Sequence, residues 1–112
     1  MIFMATFGDF EKLEICVGKI IDVKDFPEAK KPAYKLMIDF GKFGIKKSSA
    51  QITAVYSKEE LLGKQIVAVT NFPPKKIVDF ISEVLVLGVI TKDNKVILLK
   101  PEREVGPGDK IA

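Results

Sequence analysis

Three lysine-bearing segments carry the chemistry this sequence offers. They are Lys30-Lys31-Pro32, Lys46-Lys47-Ser48-Ser49-Ala50-Gln51 and Asn71-Phe72-Pro73-Pro74-Lys75-Lys76. A lysine ammonium is a compact, mobile point charge suited to phosphate oxygens. Ser48, Ser49, Gln51 and Asn71 add groups that can bond to sugar hydroxyls or base edges. A contact to the 2′-hydroxyl is what separates RNA from DNA at such a site. Phe72, just before two prolines, is open to stacking or to packing. Tyr34 keeps phase with Leu36 and Ile38, which is the pattern of a core residue. If the three segments meet, they form a cationic groove with few acids, suited to a phosphate backbone. The competing reading is that these lysines solvate loops and strand edges.

The charge distribution sharpens this choice. Residues 30–76 hold ten lysines against three acids, a balance of +7, within a chain whose net charge is +3. The remaining eight basic and twelve acidic residues sum to −4. The basic half is therefore a candidate anion-binding face. The single arginine, Arg103, and the absence of tryptophan leave few bidentate forks or stacking platforms. This favours holding a backbone over reading bases.

Catalysis has little to draw on. There is no histidine, which removes the commonest general base and metal ligand. One cysteine, Cys16, allows neither an intrachain disulfide nor a cysteine metal cluster, and its apolar surroundings read as core. Asp22, Asp25 and Glu28 are a loose acidic group of a solvated strand end. No glycine-rich phosphate loop is present. The expectation is a protein that is not an enzyme and needs no metal or cofactor. No apolar run is long enough to span a membrane, and a single thiol without an export signal points to the cytoplasm.

The elements that must position these residues can be read in order. The chain has 112 residues, 47% of them apolar, enough for one domain with its own core. Asp9 is expected to cap a short helical turn running to about Leu13. Ile15 to Phe26 reads as a long strand, with Gly18 marking a bulge. Tyr34 to Phe40 alternates cleanly, with Tyr34, Leu36, Ile38 and Phe40 on one face. A hairpin connection, Gly41 to Gly44, leads to a third strand over Ile45 to Ile52. Ser57-Lys58-Glu59-Glu60 has capping-box spacing, and Gly63 stands at a helix stop, placing a helix at about 57–62. Gln65 to Asn71 is a fourth strand, ended by Pro73-Pro74. Val84 to Ile90 reads as a fifth strand buried on both faces. Lys92 to Lys95 forms a turn into Val96–Leu99. The apolar residues 1–7 are expected to pack on the protein's own core or on a partner subunit.

Three strands, a helix and two further strands match the order of an OB-fold barrel. The expected class is all-β with a short helix: a five-stranded OB-fold barrel plus terminal extensions. Segments 1–14 and about 96–112 are the extensions. Such barrels bind nucleic acid on strands two and three and on the one–two and four–five loops. Lys30 and Lys31, then Lys46 to Gln51, then Lys75 and Lys76 fall at these three places.

The motifs also resemble a known family. Phe10 to Ile20 is similar to the opening "F-x-K-x-[DE]-[IL]-R-V-G-x-I" of the tRNA-binding domain appended to many methionyl-tRNA synthetases, with Cys16 in place of the usual arginine. Glu59 to Val67 and Val69 to Lys75 fit the middle of that domain. Phe26 to Gly41, Lys46 to Thr53, Asn71 to Lys75 and Ser82 to Gly88 resemble the CsaA group of small export-related chaperones within the same family. The resemblance implies an OB-fold homodimer, built with help from the terminal segments, that binds tRNA by shape. It implies as the alternative a chaperone for unfolded preproteins, linked to the export machinery. It also adds Ser82 to the candidate site. tRNA-binding members often carry "S-x-G-M" where this chain has Ser82-Glu83-Val84-Leu85, keeping the serine alone, and that departure adds weight to the chaperone alternative.

Overall fold

The computed structural model describes residues 3–112; Met1 and Ile2 of the apolar amino-terminal segment lie outside the described residues. Helix α1 (Phe7–Glu11) comes first. Its cap is Thr6, not Asp9. The Thr6 hydroxyl accepts from the Asp9 amide, and the Asp9 carboxylate accepts from the Thr6 amide, a reciprocal capping box. Asp9 thus works from the third helical position, where an acid also suits the helix dipole.

The barrel sheet follows from alternation. Strands β1 (Ile15–Asp25), β2 (Tyr34–Asp39), β3 (Ile45–Ala50), β4 (Gln65–Val69) and β7 (Leu85–Val86) form one antiparallel sheet in the order β3-β2-β1-β4-β7. Tyr34, Leu36, Ile38 and Phe40 are all buried, as their period of two requires. With Ile20, Ile52, Leu61, Ile66 and Ala68 they fill the interior. A five-strand, nearly closed barrel of OB-like form results, mostly β with two small helices.

The bulge in β1 lies at Ile21, where the register with β2 jumps from Ile20↔Ile38 to Asp22↔Met37. Gly18 instead pairs regularly with Ile66. Its role is space: a Cβ there would sit 2.5 Å from Ile38 Cγ2 and 2.6 Å from Phe40 Cε1. Helix α2 (Lys58–Leu61) has the expected capping box, with Ser57 and Glu60 as reciprocal partners. Gly63 ends it at a φ of +85°, a conformation that favours glycine.

The carboxy-terminal third departs from expectation. Residues 84–90 do not form one buried strand. Val84 is buried, but β7 pairs with β4 and then hands over at Leu87 to a separate ribbon, β8 (Gly88–Ile90) with β9 (Val96–Leu98). Leu85, Val89 and Ile90 are exposed. Their apolar character therefore does not serve the barrel interior. Between β4 and β7 stands a hairpin absent from the expected order, β5 (Lys75–Ile77) with β6 (Phe80–Ser82). Near the end of the chain, Lys110 bridges to Cys16, and the Gly108 amide donates to the Val17 carbonyl. No helix among the described residues is long and apolar enough to cross a membrane.

Candidate functional site

Strand parity sorts the lysines. Opposed residues of an antiparallel pair share a face. Leu36↔Ser48 and Ile38↔Lys46 therefore belong to the core-facing set, and Lys35↔Ser49 and Met37↔Lys47 to the outer set. Lys46 and Lys47 diverge, and Lys46 is half-buried on the side of Ile38. Ser48 is fully buried, and its hydroxyl donates to the Val84 carbonyl at 3.1 Å. That burial removes Ser48 from any ligand surface; its work is inside the barrel.

The free edge of β3 is closed largely by side chains. The Lys47 amide donates to Glu83 Oε1 at 3.0 Å, and the Glu83 amide donates to the Lys47 carbonyl at 2.8 Å. The Ser49 amide donates to Ser82 Oγ at 3.1 Å. Ser82 thus joins the seam between β3 and the hairpin. The seam brings the hairpin alongside the β1–β2 loop. Lys30, Lys31, Ser49, Gln51, Lys75 and Lys76 then line one open groove of about 540 Å³, together with Ala29, Ala33, Ile77 and Val78. None of these four lysines forms an ion pair with a carboxylate among the described residues.

Asn71 and Phe72 are not brought into that groove. Asn71 Oδ1 accepts from the Glu14 amide, and its Nδ2 donates to the Lys12 carbonyl, both at 2.8 Å. This amide ties the start of β1 to the end of β4. It borders a different cavity, of about 410 Å³, shared with Lys12, Glu14, Lys42 and Phe43. Phe72 is partly exposed beside it in sequence and lines neither cavity.

The structure adds residues the sequence reading did not single out. Lys35 Nζ stands 4.7 Å from the Phe26 ring centre and 5.7 Å from that of Phe80. Lys47 Nζ stands 5.4 Å from the Phe80 ring. The rings meet edge-on, 5.5 Å apart at 62°. Lys35 was findable from its outer-face parity beside Ser49. Phe80 was hidden in the unexpected hairpin.

Cys16 is buried, and burial, helped by the nearby Glu14 carboxylate, pushes its thiol above the usual range. A protonated, enclosed thiol is a poor nucleophile. No group of three or more metal-ligating side chains occurs among the described residues.

A second surface is apolar. Ile15, Val17, Val67, Leu87, Leu99 and Val105 line a shallow cavity of about 720 Å³ on the outer side of β1 and β4. Its residues are distinct from those of the lysine groove.

Comparison with known proteins agrees with this architecture. The family model described as a putative tRNA binding domain matches residues 15–110. The chaperone CsaA of Bacillus anthracis str. Ames is 50% identical, with a TM-score of 0.94 over 98% of this chain and 100% of that one. The CsaA chaperone protein of Picrophilus torridus is 61% identical, with a TM-score of 0.92 over 97% and 100%. The methionine–tRNA ligase of Pyrococcus horikoshii is 41% identical over 94% of this chain, which spans 14% of that protein's length. The corresponding enzyme of Methanococcoides burtonii is 34% identical over 96% of this chain, here spanning 16% of the enzyme.

Proposed function

The chain belongs to the family of putative tRNA-binding domains, and from that membership we propose that it binds tRNA, without catalysis, through the groove between the β1–β2 loop, β3 and the β5–β6 hairpin. The convergence of Lys30, Lys31, Lys75 and Lys76 on one groove with Ser49 and Gln51 carries this reading. Four neighbouring ammoniums without acidic partners repel one another and favour a polyanion. Lysines without arginine forks suit phosphates followed by shape, while Ser49 and Gln51 supply bonds for 2′-hydroxyls. The working unit is a homodimer, supported by Phe3, Met4 and Phe7, which leave most of their surface uncovered. Its compartment is the cytoplasm, where a single thiol stays reduced.

Titration of labelled tRNA across a salt series tests the groove. About four phosphate contacts predict a loss of ~10²-fold in affinity between 50 and 200 mM salt. Replacing Lys30, Lys31, Lys75 and Lys76 together by alanine should flatten that dependence by a slope of roughly 3 to 4. An unchanged slope in this variant would overturn the assignment.

A second reading is favoured by the 50% and 61% identity to CsaA chaperones. In it the apolar cavity along β1 and β4 takes unfolded segments of preproteins and delivers them to the export machinery. Suppression of aggregation of an unfolded client, undiminished at high salt, is the expected result. No suppression at either salt would exclude it.

A further inference from the structure

We propose that Lys35 belongs to the phosphate-binding set and that Phe80 is a positioning residue, holding the Lys35 and Lys47 ammoniums on the outer face of β2 and β3; the ligand named here rests on the tRNA reading above. Lys35 lies opposite Ser49, and Lys47 opposite Met37, so the two lysines are diagonal neighbours on one face. Such positions are about 7–8 Å apart, close enough for like charges to repel. Neither lysine has a carboxylate partner within ion-pair distance among the described residues. Long free stems would ordinarily scatter these charges and lose rotamer entropy on binding.

Aromatic rings supply what carboxylates do not. The negative face of a phenyl ring attracts an ammonium without neutralising it, leaving N–H groups free for a phosphate oxygen. Both ammoniums lie within 6 Å of the Phe80 centroid. The ring itself is well held. Phe26, buried just past the end of β1, meets it edge-on. Lys47 and Ser49 bind the end of its strand through Glu83 and Ser82. The same hairpin carries Lys75 and Lys76 into the groove. One element therefore joins the groove at the loop end to a lysine pair on the strand face. The ligand this extended track fits is a phosphodiester backbone.

The test uses the full chain, labelled tRNA over a salt series, and a double-mutant cycle. Phe80→Leu should weaken tRNA binding roughly five- to thirtyfold, from two contacts of exposed cation–π strength. In a Lys35→Ala/Lys47→Ala background the same change should cost less than about twofold. Phe80→Tyr, which keeps the ring, should restore affinity. Lys35→Ala should lower the salt slope by roughly 0.7 to 0.9. Independently of RNA, the ε-methylene proton signals of Lys35 and Lys47 should be shifted upfield by the ring and return to ordinary positions in Phe80→Leu. Equal losses in both backgrounds, an unchanged slope with Lys35→Ala, or unshifted ε-methylene signals would overturn the proposal. If wild-type binding is absent or insensitive to salt while the ring shifts persist, the failure lies in the tRNA reading and the ligand falls with it.

Discussion

Ser48 and Ser49 show how one position separates a structural residue from a candidate contact. Both carry a hydroxyl, and both lie in the lysine-rich run. Parity puts Ser48 against Leu36 in the interior and Ser49 against Lys35 outside. The same rule was available for Lys46 and Lys47 from sequence alone, because side chains alternate strictly along a strand. Gly18 gives the sharpest prediction at this scale. Its missing side chain lets Ile38 and Phe40 cross β1 at a distance that excludes a methyl group. Gly18→Ala should therefore cost about 1–3 kcal/mol of stability by overpacking. Urea unfolding with an unchanged m-value would report it. A change smaller than about 0.5 kcal/mol would mean the core yields freely there.

Legibility at the scale of elements followed the strength of local signals. β2 was readable because Tyr34, Leu36, Ile38 and Phe40 keep a strict period of two, and all four are buried. Helix α2 was readable because Ser57, Glu60 and Gly63 each have one local job. Ser57→Ala should remove the cap and cost roughly 1 kcal/mol, seen as a lower Tm, while tRNA affinity stays unchanged because α2 borders no part of the groove. A matching loss of tRNA affinity would show instead that α2 supports the site. The β5–β6 hairpin gave no such signal. Its turn is Val78-Asp79, with Val78 at a φ of +56°, where a hairpin ordinarily carries glycine or asparagine. Residues 84–90 misled for a different reason. A continuous apolar run suggests burial, but tertiary pairing splits this one between two sheets and leaves much of it on an outer surface. Of the expected site, the meeting of Lys30, Lys31, Ser49, Gln51, Lys75 and Lys76 at one cavity was legible from the barrel order. The unexpected hairpin nevertheless places the last two, and Lys46, Lys47, Ser48 and Phe72 do not line that cavity. Asn71 was not legible, since its role depends on the distant partners Lys12 and Glu14.

At the scale of the whole molecule, the exposed apolar surface is the ground for the proposed homodimer. Phe3, Met4 and Phe7 are 88%, 83% and 72% exposed, and Val89 and Ile90 are 53% and 73% exposed. Helix α1 has five residues and buries none of them, so only its cap, the Phe7–Phe10 ring contact and a few exposed polar contacts oppose the cost of helix formation. Contacts across a twofold axis would cover both patches by one self-complementary surface. Sedimentation at micromolar concentration should give a particle of twice 12.4 kDa. Phe7→Glu or Ile90→Glu should shift it toward monomer by burying an unpaired charge. Salt separates this assembly from RNA binding. An apolar interface holds or tightens as salt rises, whereas phosphate contacts weaken steeply. The dimer should therefore persist at a salt concentration that has already released tRNA. A monomeric wild-type chain would overturn the dimer, and a dimer unaffected by either glutamate would move the interface to another face.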